Sequence, residues 1–208
     1  LHPGGALAPL PVDNSAPDIY RYDPRHPTPS VGGAMFQFVG AGPVDQARLE
    51  RRDDVLTYTS EPLDGPLTII GNVGVVLHAR ASLPTADFFV RLSDVDEKGV
   101  SINVCDGIVR VTPTTPPAAD RIWKLEFKLH ATAHCFKAKH RLRVLVASGA
   151  HPRYGRNTGT DEPLGGAVTL RPADIEIFHD PERPSAIHLP AYRLPGDGAG
   201  ESPAPAAN

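Results

Sequence analysis

Apolar residues recur at every second position over long stretches of this chain. Val73, Val75, Leu77, Ala79 and Ala81 alternate with Gly74, Val76, His78, Arg80 and Ser82. A period of two sends successive side chains to opposite faces, so this run predicts a strand with one buried face. Phe88, Val90 and Leu92 repeat the pattern. Val100–Val111 predicts another strand after the turn Asp96-Glu97-Lys98-Gly99, where Gly99 can supply the positive φ of a hairpin. The clearest run sets Trp123, Leu125, Phe127 and Leu129 on one face and Lys124, Glu126, Lys128 and His130 on the other. Leu142, Val144 and Val146 follow within Arg141–Ser148, with shorter candidates at Ile175–Phe178 and Ala186–Leu189. Only Pro43–Arg51 suits a short helix. Roughly eight or nine strands separated by turns predict an all-β fold, a β-sandwich or jelly roll.

Composition divides the chain further. The 23 prolines and 19 glycines act as punctuation between apolar runs. Residues 1–29 are Pro-rich and poorly periodic, which predicts an extended arm lying on a domain surface. Residues 30–195 hold the predicted sandwich, and 196–208 read as a disordered tail. A chain of 208 residues suffices for one sizeable core. A net charge of −3 with mixed signs disfavours a nucleic-acid partner. No apolar run approaches the roughly 20 residues that span a bilayer, and no secretory leader is visible. The expected setting is therefore cytoplasmic and away from membranes, although any leader would lie upstream of Leu1. The chain opens on Leu1 and its only methionine is Met35, which suggests a piece of something longer. Cys105 and Cys135 sit in strand-like surroundings and read as two buried free thiols.

Few residues offer chemistry. Acyl transfer by a serine needs a sharp turn, usually Gly-x-Ser-x-Gly. The nearest approach, Ala147-Ser148-Gly149, lacks the first glycine, so Ser148 is expected to be a strand-end hydroxyl bonded to backbone. His130 and His134 would stand roughly 13 Å apart on a strand, too far to share an ion, so they and His140 read as surface or packing residues, with no metal. Asp94, Asp96 and Gly99 resemble the start of a calcium loop, but the fifth and twelfth positions are Lys98 and Cys105, and a hairpin turn is expected instead. Asp87 and Asp94 flank an apolar strand; buried, they need partners, with Arg91, Arg110 and Arg143 as candidates.

A series of motifs then carries a resemblance. In order they are Tyr22-Asp23-Pro24-Arg25-His26-Pro27-Thr28-Pro29-Ser30-Val31-Gly32-Gly33, Gly42-Pro43-Val44-Asp45-Gln46, Arg52-Asp53-Asp54-Val55-Leu56, Thr85-Ala86-Asp87-Phe88 and Leu92-Ser93-Asp94-Val95. There follow Cys105-Asp106-Gly107-Ile108-Val109-Arg110, His134-Cys135-Phe136, Lys139-His140-Arg141-Leu142-Arg143, Arg156-Asn157-Thr158-Gly159 and His179-Asp180-Pro181-Glu182-Arg183-Pro184-Ser185. Their joint order resembles the C-terminal β-domain of serine hydrolases similar to cocaine esterase and X-Pro dipeptidyl-peptidase. Two departures are Gly155, where many relatives carry Asp, and Ala147-Ser148-Gly149-Ala150 in place of a polar run.

The resemblance implies a jelly roll of the galactose-binding-like kind. It also implies a parent with an α/β-hydrolase domain and a cap that hydrolyses an ester, an amide or an X-Pro peptide. The catalytic groups would all precede this domain, leaving it non-catalytic, without a cofactor, and packed on the catalytic domain to help close the substrate cleft. Met35 and Phe36 would contribute apolar surface near the acyl pocket. Isolated, the domain would expose its former interface and could self-associate through it. The alternative is a carbohydrate-binding module on the same fold, which needs exposed aromatics; Trp123 aligns instead with the predicted core.

Overall fold

The computed structural model describes residues 1–10, 13, 15–35, 40–117, 120–163 and 165–192. The predicted tail, 196–208, lies outside them. Among the described residues are thirteen strands, one short α-helix and a 3-10 turn at Pro3–Gly5: β1 (Ala6–Leu7), β2 (Asp18–Tyr22), α1 (Ala47–Glu50), β3 (Val55–Ser60), β4 (Leu67–Gly71), β5 (Gly74–Ala81), β6 (Ala86–Val95), β7 (Ser101–Val111), β8 (Trp123–Lys128), β9 (Thr132–Phe136), β10 (Arg141–Ala147), β11 (Ala173–Phe178), β12 (Ala186–His188) and β13 (Ala191–Tyr192). The chain is an all-β sandwich, as the alternation predicts.

One sheet runs β1-β3-β10-β6-β7; the facing sheet runs β12-β5-β11-β2 with β8 also on β5; a small sheet runs β13-β4-β9. The main core lies between the layers. Val75, Leu77 and Ala79 of β5 meet Trp123 and Leu125 of β8, Ile175 and Ile177 of β11, and Phe88, Val90 and Leu92 of β6. Trp123 is only 7% exposed, and its indole N–H donates to the Thr115 carbonyl at 3.2 Å. Gly99, at φ 85°, turns the hairpin between β6 and β7, where the Asp96 carboxylate accepts from the backbone of Lys98 and Val100.

Three expectations need correction. The arm is extended but not peripheral. β1 pairs with β3 and β2 pairs with β11, so the arm supplies a strand to each main sheet. Tyr20 and Tyr22 point into the core, which explains why a poorly periodic, Pro-rich segment is ordered. Strand β6 is also buried on both faces, not one. Phe89, Arg91 and Ser93 on its outer side are covered, Phe89 joining Leu49, Val55, Leu145, Ala147 and Ala150 in a second apolar cluster. Finally, both thiols are free, but Cys105 is buried and Cys135 exposed. Burial and the Asp106 charge push the Cys105 thiol up to about 12, leaving it protonated and inert.

Replacing Tyr20 by Ala is expected to destabilise the domain by about 3–5 kcal/mol, as for other buried aromatic truncations. Urea unfolding measures it. A loss within about 0.5 kcal/mol would return the arm to the surface.

Candidate functional site

The outer face of the β3-β10-β6-β7 layer carries a buried polar cluster. Arg91 lies at the middle of β6 with its side chain wholly buried. One guanidinium nitrogen donates to the Val31 carbonyl and the Gln46 side-chain oxygen. The other donates to Asp106 Oδ2 at 2.8 Å. Asp106 Oδ1 accepts from Arg153 at 2.7 Å, so one carboxylate sits between two guanidiniums. The ring of Phe89 lies under Arg91, at 5.2 Å, and Tyr154 under Arg153, at 5.0 Å. Burial lowers the Arg91 pKa and the Arg153 charge adds to this, while Asp106 raises it.

A β-bulge makes this cluster possible. In the β6–β7 register Leu92 faces Cys105 and Ser93 faces Asn103, which leaves Val104 as the extra residue. Residues three apart on a regular strand point to opposite faces. The inserted residue restores Asn103 and Asp106 to the same outer face. There Asn103 accepts from the Val44 N–H at 2.8 Å and from Gln46 at 3.0 Å, and donates to the Gly42 carbonyl at 3.1 Å.

These groups hold the neck of a loop. Gly33 and Gly42 exchange reciprocal backbone hydrogen bonds of 2.8 and 2.9 Å. Gly32 and Gly33 have φ of 68° and 89°, the left-handed region that favours glycine. A Cβ on Gly33 would stand 2.8 Å from Arg153 Nη1 and 2.9 Å from Asp106 Oδ2. One on Gly32 would meet Asn103 Oδ1 at 2.6 Å. The sequence Gly32-Gly33 thus lets the backbone lie directly on the ion cluster. Met35 follows, half-buried, with its sulfur accepting from the Ser30 hydroxyl at 2.9 Å. Phe36, its predicted companion, lies outside the described residues.

Neighbouring motifs also tether loops. Asp87 accepts a bidentate pair from Arg110, both bonds 2.6 Å, and a third bond from Asn157 at 3.0 Å. Arg110 reaches on to the Gly155 carbonyl. Asp54 accepts from Arg52 and from Thr28, joining two distant motifs. Asp87 therefore has its predicted partner, but Arg91 binds Asp106 and Arg143 binds Glu50. Asp94 takes its bonds from His134, at 2.9 Å, and His140, at 2.8 Å. Spacing along one strand missed that pair because tertiary packing, not the strand, unites the two rings. Among the described residues no group of three or more His, Cys, Asp or Glu side chains is placed to hold a metal ion.

Ser148 hydrogen-bonds the Tyr20 hydroxyl at 2.9 Å, a side-chain partner where a backbone one was expected. A further contact series was not legible in sequence. Ser15 Oγ lies 2.8 Å from His179 Nδ1, and His179 Nε2 lies 3.2 Å from Asp18 Oδ2. The Nε2–Asp18 approach is a charge contact without hydrogen-bond geometry, so the His179 hydrogen bond of the series is the one with Ser15. The imidazole is fully buried, and the contacts tie the arm to the end of β11.

The X-Pro dipeptidyl-peptidase C-terminal non-catalytic domain model matches residues 1–188. The chain belongs to this family. This member is 36% identical over 204 residues to cocaine esterase of Rhodococcus sp. (strain MB1 Bresler), covering 91% of the chain and 35% of that protein. A solved α-amino acid ester hydrolase superposes on 91% of the chain and 35% of its own, with a TM-score of 0.79 and 28% identity. An aminopeptidase from the marine sediment archaeon Thaumarchaeota archaeon gives 0.81 and 26%, over 92% of this chain and 36% of its own. This family member spans about a third of the length of these relatives. No helix among its described residues is long and apolar enough to cross a membrane.

Two outcomes follow for the isolated domain. A serine-directed fluorophosphonate is expected to leave it unlabelled; labelling lost in Ser15→Ala would make the Ser15–His179–Asp18 series reactive. Burial also pushes the His179 and His78 imidazoles below the ordinary value of 6.5, with Asp18 opposing the shift at His179. The folded state then binds fewer protons than the unfolded chain, so this contribution is full above about pH 6.5 and is lost as pH falls through the folded values. The urea midpoint is expected to drop as pH falls below about 6.5, and less steeply in His179→Gln. A midpoint that rises on acidification would reverse the assignment.

Proposed function

We propose that the domain packs on an α/β-hydrolase catalytic domain of its parent chain and helps close the substrate cleft, with Met35 and Phe36 forming part of the acyl-pocket wall. The observation that carries this reading is the loop closed at Gly33 and Gly42 and seated on buried charge. A segment that borders a pocket must hold its position to within a fraction of an ångström. Met35 is only half-buried within the domain, which leaves it surface to offer. Closing the cleft removes water from the reacting carbonyl and strengthens the electrostatics of acyl transfer. Family membership and the coverage of about a third of cocaine esterase and the α-amino acid ester hydrolase support a multidomain parent of this chemistry. Trp123 lies in the core, so the sole tryptophan is not available to stack a sugar.

Met35→Ala and Phe36→Ala in the full-length hydrolase are each expected to change the kcat/KM ratio between bulky and small acyl esters by about tenfold, the scale of one or two methylenes in an apolar pocket. Melting temperature should move little. An unchanged ratio with a lowered melting temperature would assign these residues to packing instead.

A further inference from the structure

We propose that the outer face of the small β13-β4-β9 sheet is a dimer contact, on which a second copy of the same chain packs about a two-fold axis running along β4. The inference does not depend on the acyl-pocket reading and uses none of its residues.

Strand pairing sets which side chains share this face. Thr68 stands between Tyr192 of β13 and Cys135 of β9, and Ile70 stands beside Ala133. The alternate residues Ile69 and Phe136 are wholly buried on the inner face. Outside, Ile70 is 50% and Tyr192 46% exposed, and Ala133 and Cys135 are exposed with them. None of the described residues of this face is charged. The solvated outer face of the β12-β5-β11-β2 sheet is built differently. There Arg80 pairs with Glu176, Arg21 with Asp174 and, on β8, Lys124 with Glu126. Around the small sheet the charges sit at one end, beyond the strands: Glu61 and Asp64 before β4, Lys137 and Lys139 after β9, all exposed. An uncharged centre beside a charged rim is the composition of a protein contact.

Charge and relief both select a second copy as the occupant. A face without charge meets itself without repulsion. The rim is also self-compatible, because Leu63 exchanges backbone hydrogen bonds with Lys139 and His140 and so brings the acidic and basic segments together. Relief sets the axis. β13 contributes the bulky Tyr192, β9 the small Ala133 and Cys135, and β4 lies between them. Rotation by 180° about an axis along β4 exchanges the two flanks. Each Tyr192 then lies over the partner's Cys135, and bulk meets hollow on both sides of the axis. An axis across β4 would instead set Tyr192 against Tyr192 and leave the small residues facing a gap. The centre holds far fewer than the roughly 20–30 residues a side of a standard interface, so the dimer is expected to be weak, with a Kd of about 1–100 μM.

The test uses the full-length hydrolase, in which any face that packs on a catalytic domain is already occupied. Sedimentation velocity at concentrations on either side of that Kd is expected to show a monomer–dimer equilibrium. Ile70→Lys and Tyr192→Glu should each weaken it by about tenfold or more, with the melting temperature of the dilute protein unchanged. Ile19→Lys, on the outer face of the other sheet, should leave association alone. Cys135→Lys should weaken the dimer, and combining it with Tyr192→Glu should restore association at low salt, because the axis along β4 sets each new acid over the partner's new base. A hydrolase monomeric throughout this range would overturn the proposal, and a melting temperature lowered by Ile70→Lys would then show the face to be covered within one chain. A dimer indifferent to Ile70→Lys and Tyr192→Glu would overturn it as well. A double variant that associates no better than either single one would overturn the axis.

Discussion

A guanidinium sealed inside a sheet face must be neutralised and hydrogen-bonded, since an unpaired buried ion carries a penalty of several kcal/mol. Arg91 imposes that requirement at the centre of β6. Its two terminal nitrogens recruit Asp106 from the adjacent strand, Gln46 from the turn before α1, and the Val31 carbonyl from the segment leading out of the arm, while Nε makes no hydrogen bond to protein. Those groups lie far apart in sequence and converge only in the folded state. The ordering of the outer layer depends on that convergence.

The outer layer changes the character of the fold. In a two-layer sandwich each sheet commonly keeps one face in water. Here α1 and the segments around Val31 and Tyr154 cover the second face of β6 and β10, and Leu49, Phe89 and Leu145 form a satellite core beneath them. Glu50 of α1 fastens this cover through Arg143 and Ser101. The recurring motifs of the sequence mostly mark such fastenings: Thr28 to Asp54, Asp87 to Arg110 and Asn157, His134 and His140 to Asp94. They read as joints between loops and sheets.

Strands that keep a wet face were legible in the sequence, and those without one were less so. Val73–Ala81 and Trp123–Leu129 announced themselves because polar side chains alternate with the core. β6 looked similar, yet its Phe89 and Arg91 are as buried as its core face, and a charged residue in an alternating run reads as solvent-facing until its cover is seen. β1, β2, β4, β9 and β13 went unread because two to five residues carry too little period to detect. Met35 and Phe36 came to attention through family resemblance, not through any pattern of their own. Asp106 and Asn103 escaped notice because their spacing assigns them to opposite faces, and only the bulge at Val104 reunites them.

That extra residue gives β7 a reading frame. Upstream and downstream halves of the strand each keep strict parity, but the two parities differ, and Val104 is where they are spliced. Straightening the strand there without removing a residue would keep every letter in its linear order, yet would turn Asn103 toward the opposite sheet while Asp106 stayed put; removing Val104 would instead leave the two residues two apart on one face of a regular strand. Register along this strand therefore matters as much as identity, and a chain one residue shorter at Val104 reaches the same juxtaposition on an unbroken ladder.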